Sequence, residues 1–172
     1  MPAAKLRIGA TARFALPLIA PGQAQKELFH NEAIQSLDVI AAAAVEEPPR
    51  ATPPGSPAVG QSYIIAASPT GAWAGKAGCL TCFTSGGWRF VDPRDGLLTF
   101  VKSTAVWALF RSGAWEVGTV RGSSLVLGGQ QVVGTRAAAI AGPAGGTTID
   151  AESRTAIGQI LTALRQHGLI ET

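Results

Sequence analysis

The sequence is poor in charge, and this shortage limits the partners it can have. Charged residues make up 15% of its 172 residues, whereas about a quarter is usual for a soluble domain. Alanine and glycine supply much of the apolar excess. So little surface charge favours burial of part of the surface in an assembly. The basic residues are mostly scattered along the chain, so no nucleic-acid-binding face is predicted.

Cysteine and histidine are also scarce, with two residues of each kind. The cysteines form one C-x-x-C pair, Cys79 and Cys82. A structural zinc site needs four ligands, so this pair alone predicts no metal site. Its neighbours indicate a β-strand, on which positions three apart point to opposite faces. We therefore expect two buried or half-buried free thiols and no disulfide.

Patterns typical of enzymes and of membrane proteins are missing. No Walker loop, dinucleotide fingerprint, G-x-S-x-G or H-E-x-x-H motif occurs. No apolar run approaches the roughly 20 residues of a membrane span, and no signal peptide is indicated. Asp92 and Asp95 are better explained as turn formers than as a catalytic carboxylate pair. The prediction is a non-enzymatic protein without a catalytic residue, cofactor, metal or membrane segment.

The order of the patterns predicts an α+β fold: an extended N-terminal arm and long helix, a small antiparallel β-sheet or barrel module, and a C-terminal amphipathic helix. Short strands divided by glycine and proline turns carry the β assignment, and four prolines indicate a stiff linker. The predicted segments are the arm and attachment helix (1–47), a Pro-rich linker (48–60), the β module (61–120), Gly-rich strands and connector (121–149) and the last helix (150–172).

The arm and the first helix are predicted to serve attachment or oligomerisation. The helix is expected to start near residues 21–23 and to end near Glu46, before two prolines. The residues of its predicted contact stripe, called the seam, are spaced by four, three and four positions, as in a coiled coil. The alternative is that this helix packs on its own domain. Apolar arm residues also need cover. The candidate contacts are Phe14, Leu16, Leu18, His30, Ile34, Leu37 and Ala41.

The last helix is predicted from its caps and its single apolar face. Asp150 is a good N-cap, and Gly168 is placed just past the end of the helix. A lone helix of this length is marginal in water. It must therefore dock on its own module or on another subunit, through Ile157, Ile160, Leu161 and Leu164.

Aromatic residues supply the only candidate ligand site. The segments 83–90 and 110–117 resemble each other, each with a Ser-Gly turn before a tryptophan, and predict two similar hairpins. Trp88 and Trp115 are expected in the core. Trp73, in a Gly-Ala-Trp-Ala-Gly loop, is the best candidate for an exposed ring; with Trp107 and Tyr63 it could stack on sugar rings. The alternative is that these rings fill a small core.

Several motifs carry a resemblance to a known group of proteins. They include Gln23-Ala24-Gln25-Lys26, His30-Asn31-Glu32-Ala33, Gly71-Ala72-Trp73-Ala74-Gly75, Gly87-Trp88-Arg89-Phe90 and, near the end, Val132-Val133-Gly134-Thr135-Arg136 with Ile149-Asp150-Ala151-Glu152. Over nearly the whole chain the sequence resembles an uncharacterised domain family of phage, prophage and gene-transfer-agent proteins of alphaproteobacteria. Members of that family look like fibre, spike or tail-associated virion components.

The resemblance implies a structural component of a phage or phage-like particle, made in the bacterial cytoplasm and built into the virion. With the arm and the seam, it predicts an oligomer attached to other virion proteins through its N-terminal segment. A homotrimer is favoured over a ring of another order. The alternative function is a carbohydrate-binding receptor module that recognises host surface polysaccharide.

Overall fold

The computed structural model describes residues 9–20, 22, 26–41, 43–148 and 150–172, and the chain divides after Val120 into two compact units. The first unit contains α1 (Lys26–Ile40), β1 (Ala44–Val45), β2 (Ser62–Ile64), a 3₁₀ turn (Gly71–Trp73), β3 (Leu80–Thr84), β4 (Gly87–Val91), β5 (Leu98–Val101), β6 (Val106–Arg111) and β7 (Ala114–Val117). The second contains β8 (Leu125–Leu127), β9 (Gln130–Val133) and α2 (Ala151–Gln166). The predicted α+β class is confirmed.

Two sheets build the first unit. One has the order β1-β5-β6-β7, with β1 parallel to β5 and the other pairs antiparallel. The second is antiparallel, with the order β2-β3-β4. A bond from the Glu46 N–H to the Ser62 carbonyl (3.0 Å) links β1 to β2. Over the described residues the sheets do not close into a barrel. Of the two predicted alternatives, a β-sheet or a barrel, the first unit therefore has the sheet.

Strand alternation divides the apolar side chains of β2 and β3 between two clusters. Successive strand residues point to opposite faces, so Ile64 and Cys82 join one cluster while Tyr63 and Ile65 join the other. The larger cluster lies between the sheets and the end of α1 and contains Val39, Ala43, Val45, Ile64, Leu80, Cys82, Val101 and Ala108. The β2-β3-β4 sheet is therefore covered on both faces.

Residues 48–60, predicted as a stiff Pro-rich linker, are part of the first unit and pair with its β module. Arg50 forms a parallel bridge with Ile65. The Arg50 N–H donates to the Ile64 carbonyl (3.1 Å), and the Arg50 carbonyl accepts from the Ala66 N–H (2.8 Å). The prolines stiffen this segment, but its pairing with the chain around β2 satisfies backbone groups that burial would otherwise leave unpaired.

The predicted similarity of two hairpins, β3–β4 and β6–β7, is confirmed. The structure adds the β5–β6 hairpin, whose longer turn hides it from the sequence comparison. An edge-to-face contact between two aromatic rings contributes about 0.5–1.5 kcal/mol beyond the area it buries. Each hairpin carries one such pair between register partners: Phe83–Trp88 at 5.0 Å, Phe100–Trp107 at 5.3 Å and Phe110–Trp115 at 5.3 Å.

A buried carboxylate, that of Asp38, ties the arm to α1. Asp38 Oδ1 accepts from the Thr11 hydroxyl (2.7 Å) and the Phe14 N–H (2.8 Å), and Oδ2 accepts from the Arg13 N–H (2.9 Å). Three donors can converge on one carboxylate only if the backbone turns. Residues 9–20 consequently fold back on themselves, with a bridge between Ala10 and Pro17. This part of the predicted arm is therefore not extended, and residues 1–8 of that prediction lie outside the described residues.

The predicted end of the first helix near Glu46 is also wrong, because α1 stops at Ile40. Arg13 Nη1 donates to the carbonyls of Asp38 (2.8 Å), Val39 (2.9 Å) and Ala41 (3.2 Å). The last carbonyls of a helix lack partners within the helix, and a cation there is favourable. The chain then leaves the helix and pairs with β5. The predicted start, at residues 21–23, falls mostly outside the described residues.

The second unit contains the predicted last helix with its caps. Asp150 Oδ1 accepts from the Ser153 N–H (2.8 Å), which confirms the N-cap. Gly168 has φ +70°, and the Leu169 N–H donates to the Leu164 carbonyl (2.9 Å). This is the glycine-terminated ending expected from the sequence. Gly128-Gly129, within the segment predicted as Gly-rich strands and connector, forms the turn of the β8–β9 hairpin.

Arginines hold the connector of the second unit. Residues 134–148 contain little regular structure, so their carbonyls need other partners. The guanidinium groups of two α2 arginines donate to carbonyls of this connector. Arg136, which lies in the connector, donates to a carbonyl that follows α2. The pairs are Arg154 with the Gly145 carbonyl, Arg165 with the Ile140 carbonyl (2.6 Å) and Arg136 with the Ile170 carbonyl (3.0 Å).

We predict that Asp38→Asn lowers the free energy of unfolding by about 2–4 kcal/mol, because it replaces a buried carboxylate that accepts three hydrogen bonds with a group that partly donates. Urea denaturation measures the loss. The matched control is Asp95→Asn, where an exposed carboxylate accepts one bond, from the Ser112 N–H (3.1 Å). Equal losses in the two variants would show that the Asp38 contact does not organise the arm.

Candidate functional site and assembly surfaces

One described cleft lies between the arm, α1 and the β3–β4 hairpin. It encloses about 360 Å³ and is lined mainly by Thr11, Gln35, Asp38, Cys82, Thr84 and Arg89. Arg89 Nε donates to Gln35 Oε1 (2.9 Å), and its guanidinium lies 3.4 Å from Glu32. None of the described lining atoms is a buried polar group without a partner. The described lining therefore offers no buried, unpartnered polar atom that would point to a ligand.

The two cysteines are buried free thiols, as predicted. Cys79 lies in one core cluster and Cys82 in the other, on opposite faces of the sheet. Burial raises the pKa of the Cys79 thiol to about 11, and the hydrogen bond it donates to Asp92 Oδ1 (3.2 Å) adds to the rise. Burial likewise raises the pKa of Cys82. Both thiols are protonated at neutral pH and are poor nucleophiles.

Neither a metal cluster nor a membrane span is found in the part of the chain that the structure describes. No three His, Cys, Asp or Glu side chains there lie close enough to hold an ion. No described helix is both long and apolar enough to cross a membrane.

The prediction that Trp73 is exposed is wrong. Its ring is fully buried, and Tyr63 is buried beside it at a centroid distance of 5.7 Å. Trp88 completes a three-ring cluster, 5.0 Å from Trp73. The glycines around Trp73 form a loop that folds its ring onto the outer face of β2-β3-β4. Neither Trp73 nor Tyr63 can stack on a sugar in this arrangement, because both rings fill the second core cluster.

Trp107 is the one member of the sugar-stacking set that reaches solvent, with 48% of its surface exposed. It lies on β6 next to Phe100 of β5, its register partner. Alternation explains the difference from Ala108, which follows it and is fully buried in the core.

One face of α1 packs on its own module, and the opposite face is apolar and exposed. The inward face carries the buried residues Asp38 and Val39, and Asn31 exchanges two bonds with the Ile19 backbone (2.9 and 3.0 Å). The outward stripe follows spacings of four, four and three residues: Phe29, Ala33, Leu37 and Ile40. Phe29 is 77% exposed and Leu37 51%.

The predicted seam and the outward stripe only partly coincide. His30, Leu37 and Ala41 are exposed, but Ile34 is half-buried. The predicted seam contains neither Phe29 nor Ile40, because the sequence pattern alone does not say which face the module covers. Asn31 and Asp38 are the sequence signal for these two residues. Their helical spacing places them on one face of α1, which packs inward, so Phe29 and Ile40 lie on the opposite face.

The other predicted contact residues are divided between core and surface. In the arm, Phe14 is exposed whereas Leu16 and Leu18 are half-buried. In α2, Leu161 is buried and Leu164 half-buried, whereas Ile157 and Ile160 remain exposed. The last helix thus buries one edge of its apolar face within its own unit and leaves the other edge open.

Comparison with known families gives one match. Residues 30–116, just over half of the chain, match DUF2793, described as a protein of unknown function. The chain belongs to the DUF2793 family. No curated protein and no solved structure matches it.

The DUF2793 match covers the parts of the first unit that determine its fold. It begins in α1 and ends in β7. It therefore includes Asp38, all three Phe–Trp hairpins and the buried Trp73. The arm, the whole of the second unit and Phe29 lie outside the matched residues.

We predict that Trp73→Ala lowers the free energy of unfolding by about 3–5 kcal/mol, the usual range for a large buried aromatic. Trp107→Ala, which removes a half-exposed ring, is expected to lower the free energy of unfolding by a smaller amount. Denaturant titration of both variants checks this order. A smaller loss for Trp73→Ala than for Trp107→Ala would contradict the assignment of Trp73 to the core.

We also predict a stability change at high pH from Cys79. Its folded pKa, about 11, lies above the unfolded value of 9.0, so its contribution is present below pH 9 and is lost as the pH rises towards about 11. The advantage of wild type over Cys79→Ser, which keeps a hydroxyl donor but does not titrate here, should shrink over that interval. Other titrating groups are present in both proteins, so their effects cancel when the unfolding free energies of wild type and variant are subtracted. A constant difference would rule out the raised pKa.

Proposed function

We propose that this DUF2793 chain is a non-enzymatic structural subunit that assembles with copies of itself, as a component of a phage or phage-like particle. The observation that carries the proposal is the outward stripe of α1. The opposite face of this helix is already packed on the module, so the stripe has no cover from the first unit.

The chemistry of the stripe favours a protein partner. Phe29, Leu37 and Ile40 are large apolar side chains on one helical face, which is the arrangement that helices pack against one another. Complete burial of a fully exposed side chain of this size contributes about 1.5–3 kcal/mol before the costs of association, and these part-exposed side chains contribute in proportion to the area they still expose. Because every copy carries the same stripe, we expect the α1 helices of neighbouring copies to pack against one another around a common symmetry axis. A homotrimer is our preferred arrangement.

The N-terminal segment is the proposed attachment to other virion proteins. Phe14 is exposed at the turn of the arm, immediately beside the contact with Asp38. The arm is thereby held in a defined position against α1 while its aromatic side chain stays available. The sequence resemblance to phage, prophage and gene-transfer-agent proteins supports the assignment to a particle, and no other feature of the chain does so.

The carbohydrate-binding alternative now depends on Trp107 alone, because the other two candidate rings are buried. It stays a prediction from the sequence. A single half-exposed ring is weaker support for it than a row of aromatic side chains would be.

We predict that the wild-type chain is oligomeric at micromolar concentration and that a Phe29→Ser, Leu37→Ser double variant is monomeric, because it removes the two most exposed large apolar side chains of the stripe. Sedimentation velocity measures both. Val120→Ser, which removes a 91% exposed apolar side chain outside the stripe, is the control and should leave the mass unchanged. A monomeric wild type would overturn the proposal.

A further inference from the structure

The outer face of the four-stranded sheet is apolar at its centre. Leu98 and Phe100 of β5 pair in register with Leu109 and Trp107 of β6, and alternation puts all four on the face opposite the core. Their strand neighbours Thr99, Val101 and Ala108 are fully buried on the inner side. Leu98 is 46% exposed and Trp107 48%, so two large side chains of this face are half in solvent.

Two ion pairs flank this centre at opposite corners of the face. Lys102 Nζ lies 2.7 Å from Glu46 Oε1, at the β1–β5 corner. Arg111 Nη1 lies 3.6 Å from Glu116 Oε1, at the β6–β7 corner. An apolar, aromatic centre with a polar rim is the usual composition of a protein–protein contact.

We infer that this outer face docks on the same face of a second copy of the chain, with Trp107 as its central anchor. The inference rests on the proposed function, because it names a second contact within the same self-assembly.

The charges of the rim favour a second copy over other partners. Each corner carries one cation and one carboxylate, so the face is neutral and offers both signs at both ends. A copy of the same face, turned so that opposite corners meet, brings carboxylates next to cations. A nucleic acid or an acidic polymer needs a surface of one sign instead. A sugar needs polar groups that are not already engaged with each other, whereas the four rim side chains are paired.

The size of the face indicates a secondary contact. The three strands β5, β6 and β7 have four to six residues each. At about 4.8 Å between strands and about 3.4 Å per residue, they give roughly 200–300 Å². A stable interface usually buries about 800 Å² on each partner. The face alone is too small to hold two chains together, so it acts with the α1 stripe in one assembly. A tryptophan at such a contact is a common point of strong binding.

The test compares the wild type with Trp107→Ser and with Leu98→Lys, which alters the same face without touching the tryptophan. Sedimentation over a range of concentrations gives the dissociation midpoint of each. We expect both variants to raise that midpoint at least about tenfold, a typical loss for an interface tryptophan, while thermal melting confirms that they are folded. Val120→Ser again serves as the control.

Fluorescence quenching by acrylamide gives a second readout. In dilute monomer Trp107 is the most accessible of the four tryptophans, and it should lose this accessibility as the chain assembles. Trp107→Phe identifies its share of the signal. Continued quenching of Trp107 in the assembled protein would overturn the inference.

The outcomes separate this inference from the proposed function. A monomeric wild type overturns both. An oligomer that the α1 double variant dissociates, but that Trp107→Ser and Leu98→Lys leave unchanged, overturns only the sheet contact. If Trp107→Ser leaves the mass unchanged and abolishes binding on a glycan array, the face is a sugar platform and the inference is wrong.

Discussion

The buried carboxylate of Asp38 is the interaction on which the first unit depends. A carboxylate away from water is costly unless hydrogen bonds compensate it, and here the Thr11 hydroxyl and the N–H groups of Arg13 and Phe14 do so. This requirement folds the arm back. It also brings the Arg13 guanidinium onto the last carbonyls of α1, where the helix ends and the chain turns into β1, the strand that connects the two sheets.

Burial of the β2-β3-β4 sheet on both faces determines which surfaces remain for partners. One face contributes to the main core and the other to the cluster around Trp73, so the motif most suggestive of ligand binding stabilises the fold instead. Two surfaces that stay open in the described part of the first unit are the outward stripe of α1 and the outer face of the other sheet. Both are apolar, which is the common physical basis of the two proposals.

Local features were predictable because they depend on residues close in the chain. The cap at Asp150, the end at Gly168, the two similar hairpins and the opposite placement of Cys79 and Cys82 follow from spacings of a few residues. The features that the sequence did not reveal share a different cause. The helix end depends on Arg13, the course of residues 48–60 on the chain around β2, and the burial of Trp73 on Tyr63 and Trp88, all of them partners from other elements.

By itself the sequence determined the classes of element, their order and the shortage of charge that favours assembly. Only the tertiary structure decided which faces are covered. A helical period of 3.6 residues says that Leu37 and Asp38 point in different directions, but not which of them faces the module. That choice follows from the donors that meet the Asp38 carboxylate, and they come from a segment more than twenty residues away in the chain. With Asp38 inside, Phe29 and Leu37 must face outward.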